Sequence, residues 1–183
     1  MGSNPTLSEF QWESIGSDYS FRFTTEEDGV ALRSWLLEPG VLVGFPMCSE
    51  MEVDDAVKHW LPAALQGRGI TVLYQGQAVG IANVNPNPYQ RMHFFHLVSI
   101  VVAEQHRGRG IGTVLLRQLI RLAKENLGLE YLLLEVYDGN PAMRLYQRAG
   151  FVEIGAQPYA LREGEDVYRS KIVMKHTLGR DKE

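Results

Sequence analysis

An apolar run, Leu97-Val98-Ser99-Ile100-Val101-Val102, feeds Arg107-Gly108-Arg109-Gly110-Ile111-Gly112, and this passage narrows the folds open to the chain more than any other. Beyond it Ile111, Val114, Leu115, Leu119 and Leu122 recur at helical spacing, with Arg117, Arg121 and Lys124 on the other side. A strand that passes through a glycine-rich turn into a helix leaves several backbone N–H groups unpaired and pointing one way. With the positive end of the helix dipole, those donors form a site for phosphate oxygens. Arg107, Arg109, Arg117 and Arg121 add cations nearby, so the segment reads as a pyrophosphate cradle.

The spacing excludes two common phosphate ligands. A dinucleotide fingerprint needs G-x-G-x-x-G, and counting from Gly108 the third glycine would fall at Thr113. A nucleotide P-loop ends in Gly-Lys-Ser/Thr, and no Gly-Lys pair occurs in the chain. What stands is Arg-x-x-Gly-x-Gly, from Arg107 through Gly110 to Gly112. In that form it resembles the coenzyme A pyrophosphate loop of the GNAT N-acetyltransferase family. Downstream, Leu134-Glu135-Val136, Asn140-Pro141-Ala142, Leu145-Tyr146 and Ala149-Gly150-Phe151 resemble the family's later strand and helix in order and spacing. The resemblance is close from Leu97 to Phe151, looser to Met174, and only topological before Gly69.

A chain of 183 residues, 45% of them hydrophobic, can bury a proper core and fits one domain. The expected core runs from about 19 to 178, with 1–18 as an N-terminal extension. Met1-Gly2-Ser3-Asn4 carries no functional weight. A formal net charge of -4 gives no global attraction to nucleic acid or to anionic lipid. The lone Cys48 cannot form an internal disulfide, which favours a reducing compartment. The expected location is cytoplasmic, since neither an N-terminal apolar segment nor a long uninterrupted apolar run appears.

Tyr19, Phe21 and Phe23 alternate with polar residues as in a half-buried strand. Thr25 to Asp28 has the form of a capping box opening a helix through Trp35 and Leu36. Glu38 to Glu50 reads as a loop, and a second helix runs through Val53, Val57 and Trp60 until Pro62 disturbs it. Ile70–Tyr74 and Ala78–Ala82 form a hairpin, Asn85-Pro86-Asn87-Pro88 is turn chemistry, and a long strand follows from about Met92 to Val102. Tyr131 to Tyr137 is an apolar strand expected to be covered on both faces. Asn140 caps a helix with Pro141 at its first position, ending at Gly150. Strands near Phe151–Ile154 and Tyr168–Met174 enclose a polar loop, Arg162 to Asp166. The expected fold is α/β, a mixed central sheet flanked by helices on both sides, as in the GNAT acyl-CoA N-acyltransferases.

The resemblance implies an N-acetyltransferase that uses acetyl-CoA as cosubstrate, without a metal, and moves the acetyl group to a primary amine by direct attack in a ternary complex. It implies that Arg107, Gly108, Arg109, Gly110, Ile111 and Gly112 hold the pyrophosphate. Backbone groups near Ser99, Ile100 and Val101 would pair with the pantetheine arm like an added strand. Tyr146 is implied as the acid beside the coenzyme sulfur; its other reading is a ring packed on the sheet. Asn140 caps its helix or also holds the pantetheine amide.

A protonated amine must lose its proton before it attacks, and three acceptors stand open. Glu135 matches in position a glutamate given that role in the ribosomal-protein N-terminal branch. His96 falls on the strand where histone-modifying members carry a glutamate, and a water chain is the third. The expected partner is a small-molecule or peptide amine, neither nucleic acid nor membrane, and monomer and homodimer are both open. An acetyl-CoA sensor without turnover is the competing function.

Overall fold

The computed structural model describes residues 10–179. The first four residues, set aside above, lie outside them. Seven strands form one sheet in the order β1-β2-β3-β4-β5-β7-β6. They are β1 (Tyr19–Phe23), β2 (Gly69–Tyr74), β3 (Gln77–Pro86), β4 (Phe95–Val102), β5 (Tyr131–Tyr137), β6 (Val152–Gly164) and β7 (Val167–Thr177). Every neighbouring pair is antiparallel except β4 and β5. The helices are α1 (Asp28–Leu36), α2 (Pro39–Leu42), α3 (Glu50–Ala63), α4 (Ile111–Glu125) and α5 (Met143–Arg148). This is the expected mixed α/β sheet between helical layers. Among the described residues no helix is long and apolar enough to cross a membrane.

Alternation along the strands explains the two layers. Val98 and Val102 of β4 and Leu132, Leu134 and Val136 of β5 share a core with Leu115, Leu119 and Leu122 of α4 and Phe151 after α5. Ile81 and Val101 point the other way, into a second core with Leu32, Trp35, Val53 and Trp60 of α1 and α3. The β5 strand is buried on the α4 face alone, because Glu135 on the opposite face is exposed; the expectation of cover on both faces is corrected. The boundary of the core also shifts. Phe10 is buried, and Trp12 and Ile15 pack against the α4 core, so these residues ahead of Tyr19 belong to it.

Local structure departs from the sequence expectation at several points. The capping box closes on one side only: Asp28 accepts from the Thr25 N–H at 2.9 Å, but no side chain caps the start of α1. Asp28 is 3% exposed and also accepts from Arg22 at 2.6 and 2.8 Å and from Thr71 at 2.8 Å. Burial pushes its carboxyl pKa upward, yet the Arg22, Thr25 and Thr71 hydrogen bonds outweigh burial and hold it below its ordinary value. A lowered carboxyl stabilises the fold above the unfolded pKa of ~3.9, and that contribution is lost as pH falls through the folded value. Asp28→Asn should therefore lower stability by roughly 1–3 kcal/mol at neutral pH. Thermal unfolding checks this: the gap between Asp28→Asn and the parent should narrow on acidification below about pH 4.

The α3 helix passes through Pro62 and ends in a wide turn, Ala64–Arg68, where Gly67 takes the left-handed φ of 72°. Asn85 and Pro86 extend β3 rather than beginning a turn. The long strand starts at Phe95, not Met92, because Gln90–Met92 forms a 3₁₀ turn. Arg162 and Glu163 lie inside β6, leaving Glu165-Asp166 as the hairpin turn. The β6 register on β7 shifts between Gln157 and Leu161, so Pro158, Tyr159 and Ala160 bulge out, with Tyr159 at φ 54°. The segment expected as loop, Glu38 to Glu50, contains the single turn of α2 with Pro39 at its start.

Candidate active site

The parallel pairing of β4 and β5 covers three residues: Phe95, His96 and Leu97 against Tyr131, Leu132 and Leu133. Beyond them β4 stays on β3, and β5 turns to β7. The strands splay, and a cleft of 770 Å³ opens between them. Its floor includes Val98 to Val102 and Glu135 to Tyr137, its roof Gly40 to Pro46, and its far wall Asn140 to Ala142, Leu145 and Tyr146.

Hydrogen-bond register decides which floor groups are free. The Ala103 N–H donates to Val79 O at 2.9 Å, and the β3–β4 register runs unbroken from there. In an antiparallel pair the bonded positions alternate, so Ser99 and Val101 turn their N–H and C=O groups to β3. Ile100 and Val102 turn theirs to the open edge; Val98 leaves only its C=O there, because the Leu97–Leu133 bridge takes its N–H. Of the three residues expected to offer backbone, Ile100 faces the cleft, while the backbone groups of Ser99 and Val101 do not. Their open neighbours Val98 and Val102 were missed, and an alternation count from the hairpin was the signal that pointed to them.

The turn into α4 is rich in donors. Gly108 and Gly110 hold φ of 74° and 80°, the left-handed region that favours glycine. Among the described residues the N–H groups of Gly108 through Gly112 have no acceptor, whereas those of Thr113 and Val114 bond to Gly110 O. Five consecutive donors thus precede the first bonded amide of α4. Gly112 differs, having no left-handed φ and room for a Cβ in ordinary contact with Leu145 at 3.4 Å.

The arginines do not gather around this turn as expected. Arg107 donates to Val102 O at 3.1 Å and to Gly40 O. The side chain of Arg109 lines a separate polar pocket with Tyr74, Gln75, Gln77, Gln105 and His106. Arg117 pairs with Glu13 at 2.7 Å, and Arg121 donates to Gln11 O and stacks over Phe10 at 4.8 Å. The N-terminal segment takes up both, a contact about a hundred residues distant in sequence. Arg107 nevertheless lines the cleft, together with Arg148 and Arg169, which the sequence did not single out.

Tyr146 is 8% exposed and lines the cleft. Burial raises its phenol pKa to about 12, against a partial pull downward from the Arg107 guanidinium. Its ring packs edge-on against Phe151 at 6.2 Å, and no described residue accepts or donates at its hydroxyl. The Asn140 Oδ1 accepts from the Ala142 N–H at 2.9 Å, closing the turn that leads into α5, and its side chain lines the cleft beside Gly44.

The base candidates separate clearly. Glu135 lines the cleft, half-exposed, with Lys171 Nζ 3.1 Å from its Oε1. His96 does not line the cleft. It sits in the three-residue seam, 4% exposed, with Nδ1 unpaired among the described residues. Burial, with smaller effects from Arg68 and His93, lowers its pKa to about 4. Its removal from the site is a correction with a simple cause: one step of register carries it under the paired part of the sheet.

A free strand edge, a row of unpaired amides at a helix start and a buried phenol in one cleft match a known protein class. The acetyltransferase (GNAT) family model matches residues 6–151. The chain belongs to the GNAT family. An acetyltransferase from Salmonella typhimurium solved with acetyl-CoA superposes with a TM-score of 0.78, at 19% identity, over 91% of this chain and 98% of that one. Streptothricin acetyltransferase of Streptomyces lavendulae is 32% identical over 74% of this chain and 69% of its own length. An N-alpha-acetyltransferase of Sulfurisphaera tokodaii is 43% identical, but the match spans 40% of this chain and 44% of that protein. The GNAT chain therefore aligns with less than half the length of such archaeal relatives. An L-amino acid N-acetyltransferase of Escherichia coli is 27% identical over 82% of this chain and 94% of its own.

Proposed function

We propose that this chain transfers the acetyl group of acetyl-CoA to a primary amine, by direct attack of the amine in a ternary complex. The observation that carries this reading is the meeting, in one cleft, of the open β4 edge with the unpaired Tyr146 hydroxyl. The N–H groups of Gly108 to Gly112 bind the pyrophosphate, with the α4 dipole behind them. The pantetheine arm pairs with the C=O of Val98 and the free groups of Ile100 in the manner of an added strand. The amine nitrogen attacks the thioester carbon, the C–S bond breaks, and the departing sulfur takes its proton or its hydrogen bond from Tyr146. Against a thiol of ~8.5, a phenol at about 12 is the weaker acid, so hydrogen-bond donation as the bond breaks is the role best supported.

Glu135 accepts the ammonium proton, directly or through one water. Glu135→Gln should reduce kcat/KM by about 10- to 100-fold near pH 7, a loss that shrinks as pH approaches ~10 and the amine arrives already deprotonated. A pH series of initial rates checks it, and a constant loss across the series would assign Glu135 to structure. The names of the Streptomyces lavendulae and Escherichia coli relatives support a small-molecule amine, and that of the archaeal relative supports a peptide.

The Lys171 ion pair on Glu135 favours a second reading, a sensor that binds acetyl-CoA without turnover. Thiol release over a panel of amines, beside calorimetric binding of acetyl-CoA, separates the two. Binding without release across the panel would replace the enzyme with the sensor.

A further inference from the structure

The roof helix α2 is a single turn, too short to hold a position by its own hydrogen bonds. Val41, Leu42 and Phe45 anchor its apolar side in the α1–α3 core. Its carbonyls are tied by two arginines far apart in sequence. Arg107 joins Val102 O, at the end of β4, to Gly40 O. Arg169 donates to Val43 O at 2.7 Å and to Asp138 O, just after β5, at 3.3 Å. The roof thus spans the diverging ends of the two strands, with one arginine as the footing on each. Arg169 is itself held by charge and stacking: its Nε lies 2.9 Å from Glu163, an ion pair without hydrogen-bond geometry, and its guanidinium stands 5.6 Å from the Tyr137 ring. Its side chain is 18% exposed.

We propose that Arg169 is a positioning residue for the acceptor amine. By holding Val43 O against the β5 end, it sets the height of Val43–Pro46 above Glu135 and Tyr137, which line the same cleft. The anion-binding turn and its amides lie at the other footing, so the pyrophosphate donors do not include Arg169. The assignment rests on the acetyltransferase reading above for its kinetic part and on geometry alone for its structural part.

Two measurements test it on the full chain. In Arg169→Met, hydrogen exchange at the amides of Val43, Gly44 and Phe45 should quicken by about tenfold or more, since a charge-assisted bond to the roof is gone. The KM for the acceptor should rise by about 10- to 100-fold, while acetyl-CoA affinity by calorimetry stays within about twofold. Guanidinium added to Arg169→Ala should restore part of the acceptor KM, a rescue that general destabilisation would not allow. Glu163→Ala keeps the guanidinium but frees it, and should give a smaller change confined to the same amides; it serves if the Arg169 variants fail to fold. Unchanged roof exchange overturns the proposal, as does a parallel loss of coenzyme affinity. A parent protein that releases no thiol with any amine sinks the enzyme reading and the acceptor role with it, whatever the exchange shows.

Discussion

Tyr146→Phe should lower turnover by ~10²-fold or more while leaving acetyl-CoA affinity nearly unchanged, because the change removes the hydroxyl and little else. The ring keeps its contact with Phe151 and its place in the α4 core. The hydroxyl has no partner among the described residues, so no buried donor or acceptor is orphaned by its loss and stability should hold. Burial fixes the sign of the pH dependence: a phenol raised to about 12 stays protonated across the working range. The parent's alkaline limb should therefore lack a step from this group below about pH 10. Single-turnover rates, which isolate chemistry from product release, are the measurement. Equal rates for parent and variant would return Tyr146 to a packing role.

Gly110→Val should weaken acetyl-CoA binding by up to ~10²-fold, through the backbone more than through bulk. A Cβ on Gly110 would meet nothing within 4 Å, so the folded protein has room for it. What it lacks is a tolerable conformation, since φ of 80° is costly for a β-branched residue. Relaxing that angle turns the amides of Gly110 and Ile111 out of the row that faces the phosphates. Gly112→Ala is the control, because its Cβ makes an ordinary contact with Leu145 at 3.4 Å and needs no unusual φ. Calorimetric titration with acetyl-CoA reads both. Normal binding by a folded Gly110→Val protein would remove the turn from the ligand site.

Much of this was legible in the sequence because the signals were local. The α4 periodicity, the Gly-rich turn before it, the hairpin of β2 and β3 and the Asn140 turn each lie within about 15 consecutive residues. The cleft between β4 and β5 was legible only through family resemblance, since splaying depends on which strands β4 and β5 choose as their other partners. The remaining parts are contacts at long range. Nothing near Gly40 or Val43 announces Arg107 and Arg169, which are 67 and 126 residues away. Nothing near Glu135 announces Lys171. The arginines of α4 were misassigned for the same reason: helical spacing showed their face, but not that residues 10–13 would cover it. His96 was a matter of register, where one residue separates the seam from the cleft.

The irregularity of β6 bears on how this protein behaves in a crowded solution. β6 is an outer strand of 13 residues whose flank carries Val152, Ile154 and Tyr159 largely exposed. A straight strand of that length and composition would be a template along which other chains zip edge to edge. Pro158 has no N–H to offer a neighbour, and the bulge through Ala160 breaks the row of free groups into two short runs that no longer line up. The kink in the outermost strand thus acts against aggregation, one strand over from Arg169 and Lys171.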